Sequence, residues 1–131
     1  MVGAVKALHA RPDLAAHQKV IRASTKEVVK RLVDLLGARL VAYIGGVGET
    51  RAVREWMGAR EPRGDTSARL REALTIALML ESREKPATIQ AWFMGLNPQL
   101  DDRAPARLLR DGDADAQSAV LGAARAFLIG G

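Results

Sequence analysis

The sequence predicts an all-α fold, a helical bundle built around one shared core. Apolar residues recur at helical spacing along almost the whole chain, and they never alternate with polar residues over the length of a strand. The 12 glycines and 5 prolines are too few for a disordered or collagen-like chain. A chain of 131 residues can bury roughly two thirds of its unfolded surface. We therefore expect one domain, or two small subdomains with a common interior.

Local signals place the first two helices. After an irregular first dozen residues, Asp13 is expected to cap a helix that starts at Leu14. Ser24 and Glu27 have the spacing of a capping box, and Gly37 is expected to end the second helix. The apolar stripe of this second helix consists of Val28, Val29, Leu32, Leu35 and Leu36.

The middle of the chain predicts two short helices and then a long one. The short helices cover residues 39–44 and 51–57, the second with Thr50 as its cap, and a loop over 58–64 follows. Asp65 is expected to cap the long helix, which ends before Pro86. This helix is apolar nearly all round and should be the buried spine. Its apolar residues are Leu70, Leu74, Ile76, Ala77, Leu78, Met79 and Leu80.

Three further helices are predicted after the spine. Pro86 opens the first of them, and the dipeptide Asn97-Pro98 forms a turn. The second covers 103–110, with Asp101 or Asp102 at its N-terminus, and the last covers 114–128. The first of the three carries Ile89, Trp92, Phe93 and Met94.

The reactive side chains argue against an enzyme. The chain contains no cysteine, and its two histidines, His9 and His17, have no carboxylate at ligand spacing, so we expect no metal and no cofactor. The glycines of 45–48 lack the lysine of a phosphate-binding loop. No signal peptide and no span of membrane length is recognisable. We expect a cytoplasmic protein that does not contact a membrane.

Positive charge is concentrated in the first half of the chain. Residues 1–60 carry 11 basic and 5 acidic side chains, whereas residues 61–131 carry 9 and 10. An excess of basic residues favours a polyanionic partner such as nucleic acid. A solvated surface with a skewed average would give the same counts.

A helix-turn-helix is predicted around the glycine-rich turn. Ala42 is a small residue where two crossing helices can touch, and Gly46 can adopt the positive φ that the turn needs. Val47 is expected to fill the angle after the turn. Val53 and Trp56 should face the core, one residue later than in the usual spacing, so the turn should be longer by one residue.

This arrangement leaves a basic surface on the second helix. Arg51 and Arg54, with Thr50, lie at or near its outer N-terminal face, where a recognition helix meets bases and phosphates. Arg60 and Arg63 in the next loop could reach flanking phosphates. So could Lys30, Arg31 and Arg39 on the preceding helices. One such unit makes few base contacts, so specific binding to duplex DNA would need a dimer. The alternative is two ordinary packed helices with solvated arginines.

Residues 92–112 carry a second pattern. A predicted helix that contains a tryptophan is followed by Asn-Pro and a leucine, and then by a polar turn with an arginine and a proline. A Leu-Leu pair comes next, and an aspartate followed by a glycine ends the pattern. The residues that fit are Trp92, Asn97, Pro98, Leu100, Arg103, Pro105, Leu108, Leu109, Asp111 and Gly112. The pattern resembles the toxin-binding domain of the Xre/MbcA/ParS-type antitoxins, in which an Xre-like helix-turn-helix precedes that domain. The resemblance covers residues 38–128.

The resemblance implies an antitoxin of a type II toxin–antitoxin system. Such a protein binds and neutralises a RES-domain toxin, which depletes NAD, and represses its own operon through double-stranded operator DNA, as a homodimer or in a larger toxin–antitoxin complex. The implied organisation is an N-terminal helical arm (1–37), the helix-turn-helix (38–64) and a helical toxin-binding or dimerisation domain (65–131). The alternative is a stand-alone helix-turn-helix regulator whose C-terminal half only dimerises.

The candidate toxin-binding residues lie in the last third of the chain. They are Asn97, Arg103, Arg107, Arg110, Phe127 and Ile129. The three arginines have helical spacing and are expected to form one basic face. That face could meet acidic groups of a toxin, or it could be solvated or paired with neighbouring aspartates.

Overall fold

The structure, a computed structural model that describes residues 12–130, is all-helical, as predicted. Those residues form eight α-helices and one 3-10 turn, and no strand occurs among them. The helices are α1 (Pro12–Arg22), α2 (Thr25–Leu36), α3 (Ala38–Gly45), α4 (Thr50–Trp56), α5 (Gly64–Glu81), α6 (Pro86–Met94), α7 (Pro105–Asp111) and α8 (Ala114–Leu128), and the 3-10 turn is Pro98–Leu100. His9 and most of the first dozen residues lie outside the described part.

The predicted spine is confirmed. α5 has apolar side chains around its whole circumference, so other helices cover it on all sides. It packs against α1, α2, α3, α6, α7 and α8. Leu70, Ile76 and Met79 are completely buried, and Leu78 packs at the edge of the core. The buried side chains of all eight helices form one continuous cluster. The three segments proposed from the sequence therefore share a single core.

α1 is held to the spine by polar contacts. The guanidinium of Arg71 donates two hydrogen bonds of 2.9 Å, to the carbonyl oxygens of Val20 and Ala23 at the end of α1. These carbonyls lie at the C-terminal end of the helix, where a cation is favourable, and the Val20 carbonyl also accepts from the Ala23 amide (3.2 Å). Beside it, burial raises the pKa of Glu72 above its usual value, and His17 acts in the opposite direction.

α2 begins and ends where the sequence predicts. The Ser24 hydroxyl oxygen accepts a hydrogen bond from the Glu27 amide (3.2 Å), and the Ser24 amide donates to the Glu27 carboxylate (3.3 Å). Gly37, with φ of 84°, separates α2 from α3. Arg31, a candidate phosphate contact, forms a salt bridge of 2.6 Å with Glu81 of α5.

Four predicted helix starts are wrong. α1 already includes Asp13. Glu49 rather than Thr50 precedes α4, and α5 begins at Gly64, so that Asp65 lies in its first turn. The helix expected at 103 begins at Pro105, since a proline disfavours a helical conformation in the residue before it. Its two expected capping residues, Asp101 and Asp102, occupy the turn before it, with φ of 56° and 58°.

Two further properties of the described residues concern membrane spans and metal ions. No helix within 12–130 is both long and apolar enough to cross a membrane. Over the same range, no group of three or more histidine, aspartate or glutamate residues is placed to hold a metal ion.

A close approach between α3 and α4 limits what residue 45 can be. Gly45 is buried, and a Cβ atom there would lie 2.9 Å from Cη2 of Trp56. The sequence placed a small residue at Ala42, which is buried as well. The position where the packing requires a glycine is thus residue 45, about one helical turn after Ala42.

We expect Gly45→Ala to lower the free energy of unfolding by about 1–3 kcal/mol, because the indole ring cannot move out of a packed core without cost. Urea-induced unfolding measures this. Gly122→Ala is the matched control. Gly122 lies in α8, and a Cβ atom there would meet only open space, so alanine should stabilise by about 0.5–1 kcal/mol. Equal effects of the two substitutions would contradict the packing explanation.

Candidate functional site

The turn between α3 and α4 has the backbone conformation that the sequence predicts. Gly46 is left-handed, with φ of 79°, and its amide donates to the carbonyl of Tyr43 (3.1 Å). The Val47 amide donates to the carbonyl of Ala42 (3.0 Å), and the Val47 side chain packs against the core. Since the turn satisfies these carbonyls, α3 ends cleanly and the chain can reverse into α4.

The two faces of α4 differ in exposure. Val53 and Trp56 are buried, as predicted, so the opposite side of this short helix lies at the surface. Arg51 and Arg54 are both exposed, and Thr50 is half-buried. The Arg54 guanidinium donates to the Thr50 hydroxyl (3.3 Å).

One carboxylate lies between two of the predicted DNA-binding arginines. Glu55 is 3.6 Å from the guanidinium of Arg51 and 3.7 Å from that of Arg60. Both arginine side chains are about three quarters exposed, at 75% and 76%. Exposed ion pairs of this kind contribute little, about 0–1 kcal/mol, so either guanidinium can exchange Glu55 for a phosphate.

The exposed face of α4 borders a groove that we call the basic groove. Its volume is about 660 Å³, and its walls come from α3, α4 and α7. It is lined by Arg39, Ala42, Tyr43, Val47, Gly48, Glu49, Thr50, Arg51, Arg54 and Arg110. Four arginines face one carboxylate, so the groove is positively charged. The structure thus brings Thr50, Arg51 and Arg54 together, whereas Arg60 and Arg63 lie outside the lining.

The three arginines predicted to form one basic face do not share a helix. Arg103 precedes α7, and its guanidinium donates to the Leu100 carbonyl (3.0 Å) and lies 3.8 Å from Asp101. Arg107 lies within α7, 3.6 Å from Asp111. Both are exposed and paired with neighbouring aspartates.

Arg110 lies in a different place, at the basic groove. Its guanidinium donates to the carbonyl of Tyr43 (2.9 Å) and stands 4.7 Å from the centre of the Tyr43 ring. The carbonyl belongs to the last turn of α3, where a cation is favourable, and it also accepts from the Gly46 amide (3.1 Å). Arg110 therefore caps α3 and joins α7 to it.

A second arginine strengthens this junction and was missed by the sequence analysis. Arg69, on α5, donates to the carbonyls of Gly45 (3.2 Å) and Arg110 (3.1 Å). One guanidinium thereby bridges the C-terminal ends of α3 and α7. Its Nε is buried and has no hydrogen-bond partner in the described part of the chain. No local pattern marks Arg69, because both of its acceptors are distant in sequence.

A second concave surface, which we call the apolar cleft, lies between α6, the 3-10 turn and α8. Its volume is about 280 Å³. It is lined by Ala91, Trp92, Gly95, Leu96, Asn97, Pro98, Gln99, Ala123, Ala126 and Phe127. The rings of Trp92 and Phe127 are 6.5 Å apart, and Trp92 Nε1 is buried without a partner among the residues described.

The cleft contains two of the predicted toxin-binding residues, Asn97 and Phe127. The Asn97 side chain accepts a hydrogen bond from the Gln99 amide (2.9 Å), so it shapes the turn, as expected. Ile129 directly follows α8 and is 86% exposed, and Leu96 at the cleft is 75% exposed. Leu96 was not predicted, although an apolar residue between Gly95 and Asn97 could have indicated it.

Comparison with known proteins gives no match, whether to a family model, a curated protein or a solved structure.

Replacing Arg69 tests the junction between α3 and α7. We expect Arg69→Gln to lower the free energy of unfolding by about 1–3 kcal/mol, because it leaves the Gly45 and Arg110 carbonyls without a charged donor. Arg107→Gln removes the same charge from an exposed site and should change stability by less than about 1 kcal/mol. Urea unfolding compares the two variants. Equal stability would show that the bridge contributes nothing.

Proposed function

We propose that this chain is a DNA-binding antitoxin that acts in the cytoplasm and works through binding surfaces rather than by catalysis. In this proposal the basic groove and α4 bind operator DNA, and the C-terminal half binds and neutralises a RES-domain toxin. The DNA-binding part rests on one observation: α4 buries Val53 and Trp56 and thereby presents Arg51 and Arg54 beside a groove lined by four arginines. The resemblance of residues 38–128 to Xre/MbcA/ParS-type antitoxins supports the toxin-binding part.

The arginines of α4 suit recognition of a duplex. A guanidinium matches the acceptor pair of guanine in the major groove and also binds phosphate. Arg54 is held by Thr50 rather than by a carboxylate, so its charge is available. α4 has only seven residues and can reach few bases. Specific binding therefore requires two copies on neighbouring half-sites, which agrees with the homodimer that we propose.

The apolar cleft and the end of α8 suit a protein partner. Leu96 and Ile129 expose large apolar side chains, and burying each of them would contribute about 1.5–3 kcal/mol. The cleft that Leu96 lines contains aromatic rings, which are enriched at protein interfaces. The C-terminal half would then neutralise the toxin by binding to its surface and blocking access to it.

The DNA proposal predicts the effect of a double substitution in α4. Arg51→Ala/Arg54→Ala should weaken binding to the DNA upstream of the gene by about 30-fold or more, since each arginine–base contact contributes about 1–3 kcal/mol. Fluorescence anisotropy at fixed salt measures this. Arg103→Ala/Arg107→Ala removes the same charge from exposed sites outside the groove and should have little effect. Unchanged affinity of the α4 variant would rule out α4 as the recognition helix.

The toxin proposal is tested in cells that express a RES-domain protein encoded beside this gene. The chain should restore growth and the NAD level, and Leu96→Asp/Ile129→Asp should lose about 100-fold or more in affinity for the toxin, because both apolar contacts are removed. Ile21→Asp, on the exposed side of α1, is the control. If the chain leaves the protein toxic, and Leu96→Asp/Ile129→Asp instead separates a dimer, the chain is a stand-alone regulator.

A further inference from the structure

Arg110 connects the C-terminal half of the chain to the basic groove. It lies on α7, inside the segment that resembles a toxin-binding domain, yet its side chain lines the same groove as Arg51 and Arg54 of α4. Arg39 of α3 lines the groove as well. The groove therefore has arginines on three separate helices.

Most of the positive charge in the groove is not neutralised by the protein. Arg51 has Glu55 as a neighbour, whereas Arg39, Arg54 and Arg110 form no salt bridge within residues 12–130. Like charges lining one groove give it a positive potential, which attracts an anion. An extended anion can reach arginines on three helices at once, which a small anion cannot do.

Arg110 is already held in position before any ligand arrives. Its guanidinium uses one N–H group for the Tyr43 carbonyl and stacks against the Tyr43 ring. Its own backbone carbonyl accepts from Arg69. Most of its remaining N–H groups have no acceptor in the part of the chain that the structure covers, and a stacked guanidinium keeps its donors in the plane of the group. Little side-chain entropy is lost when such a group binds phosphate.

We infer that Arg110 and Arg39 bind backbone phosphates of duplex DNA, so that α7 and α3 form a second wall of the DNA-binding surface. The inference rests on the proposed DNA-binding function and adds two contacts to it. Duplex is favoured over single strands because Tyr43 is the only aromatic residue in the lining and already stacks with Arg110. It is favoured over an acidic protein because these arginines continue the surface of Arg51 and Arg54.

Contacts to phosphate have a distinctive signature. Each one releases bound counterions, so the slope of the logarithm of the association constant against the logarithm of salt concentration changes by about 0.9. We expect Arg110→Gln and Arg39→Gln each to reduce the slope by about this amount. Affinity should fall about fivefold to tenfold near 100 mM salt. The loss should be the same for the upstream sequence and for a shuffled duplex, because phosphates carry no sequence information.

The experiment uses the full chain and both duplexes between about 50 and 200 mM salt. Arg107→Gln, on the same helix as Arg110 but outside the groove, is the matched control and should leave slope and affinity unchanged. Arg110→Lys keeps the charge and should keep the slope. Arg39 makes no hydrogen bond or salt bridge among the described side chains, so Arg39→Gln tests the inference even where Arg110→Gln disturbs the fold.

The outcomes separate the two proposals. If the unaltered chain binds neither duplex at low salt, the DNA-binding function fails and this inference fails with it. If the chain binds and the α4 variant loses affinity, while Arg110→Gln and Arg39→Gln behave like Arg107→Gln, the inference is overturned and the proposed function stands. An acidic protein partner then becomes the explanation for Arg110.

Discussion

The burial of α5 on all sides is the constraint on which the rest of the structure depends. An α-helix with apolar residues around its whole circumference has no face to present to water, so other helices must surround it. Six helices do so, and their own apolar stripes complete the core. Both candidate surfaces are consequences of this arrangement. The basic groove forms where α3, α4 and α7 meet on one side, and the apolar cleft forms where α6 and α8 meet on another.

Arginines with different surroundings have different roles in this molecule. Arg69 and Arg71 lie on the spine and donate to carbonyls at the ends of other helices, which places them among the structural contacts. Arg51 and Arg54 contact only their neighbours on α4 and remain accessible. Arg110 combines both situations, since it caps α3 and also lines the groove. The role of each arginine depends on the acceptor that its guanidinium contacts, and the total charge of the chain does not reveal it.

The parts of the fold that depend on local signals could be predicted from the sequence. The capping box at Ser24, the stop at Gly37 and the left-handed Gly46 each act within a few residues. The buried spine could be recognised as well, because it needs only a count of apolar residues. The start of α7 could not, since Pro105 rather than the earlier aspartates determines it.

Which residues line the basic groove could not be predicted from the sequence, because contacts between distant residues determine it. Arg110 and the Tyr43 carbonyl are separated by 67 positions, and no helical spacing relates them. Arg103, Arg107 and Arg110 looked like one face only under the assumption that a single helix contains them all. In the folded chain Arg103 precedes α7, and Arg110, a predicted toxin contact, lies at the surface proposed for DNA.

The bridge that Arg69 makes between α3 and α7 limits how far the chain can be divided into independent parts. Residues 38–64 contain α3, the turn and α4, but the groove beside α4 takes one wall from residue 110, and a side chain at residue 69 donates to the end of α3. A fragment cut after residue 64 would lose both, together with the leucine at position 70 that lies near Gly45. A chimera that joins residues 38–64 to a foreign sequence would therefore contain neither the bridge from residue 69 nor the wall from residue 110.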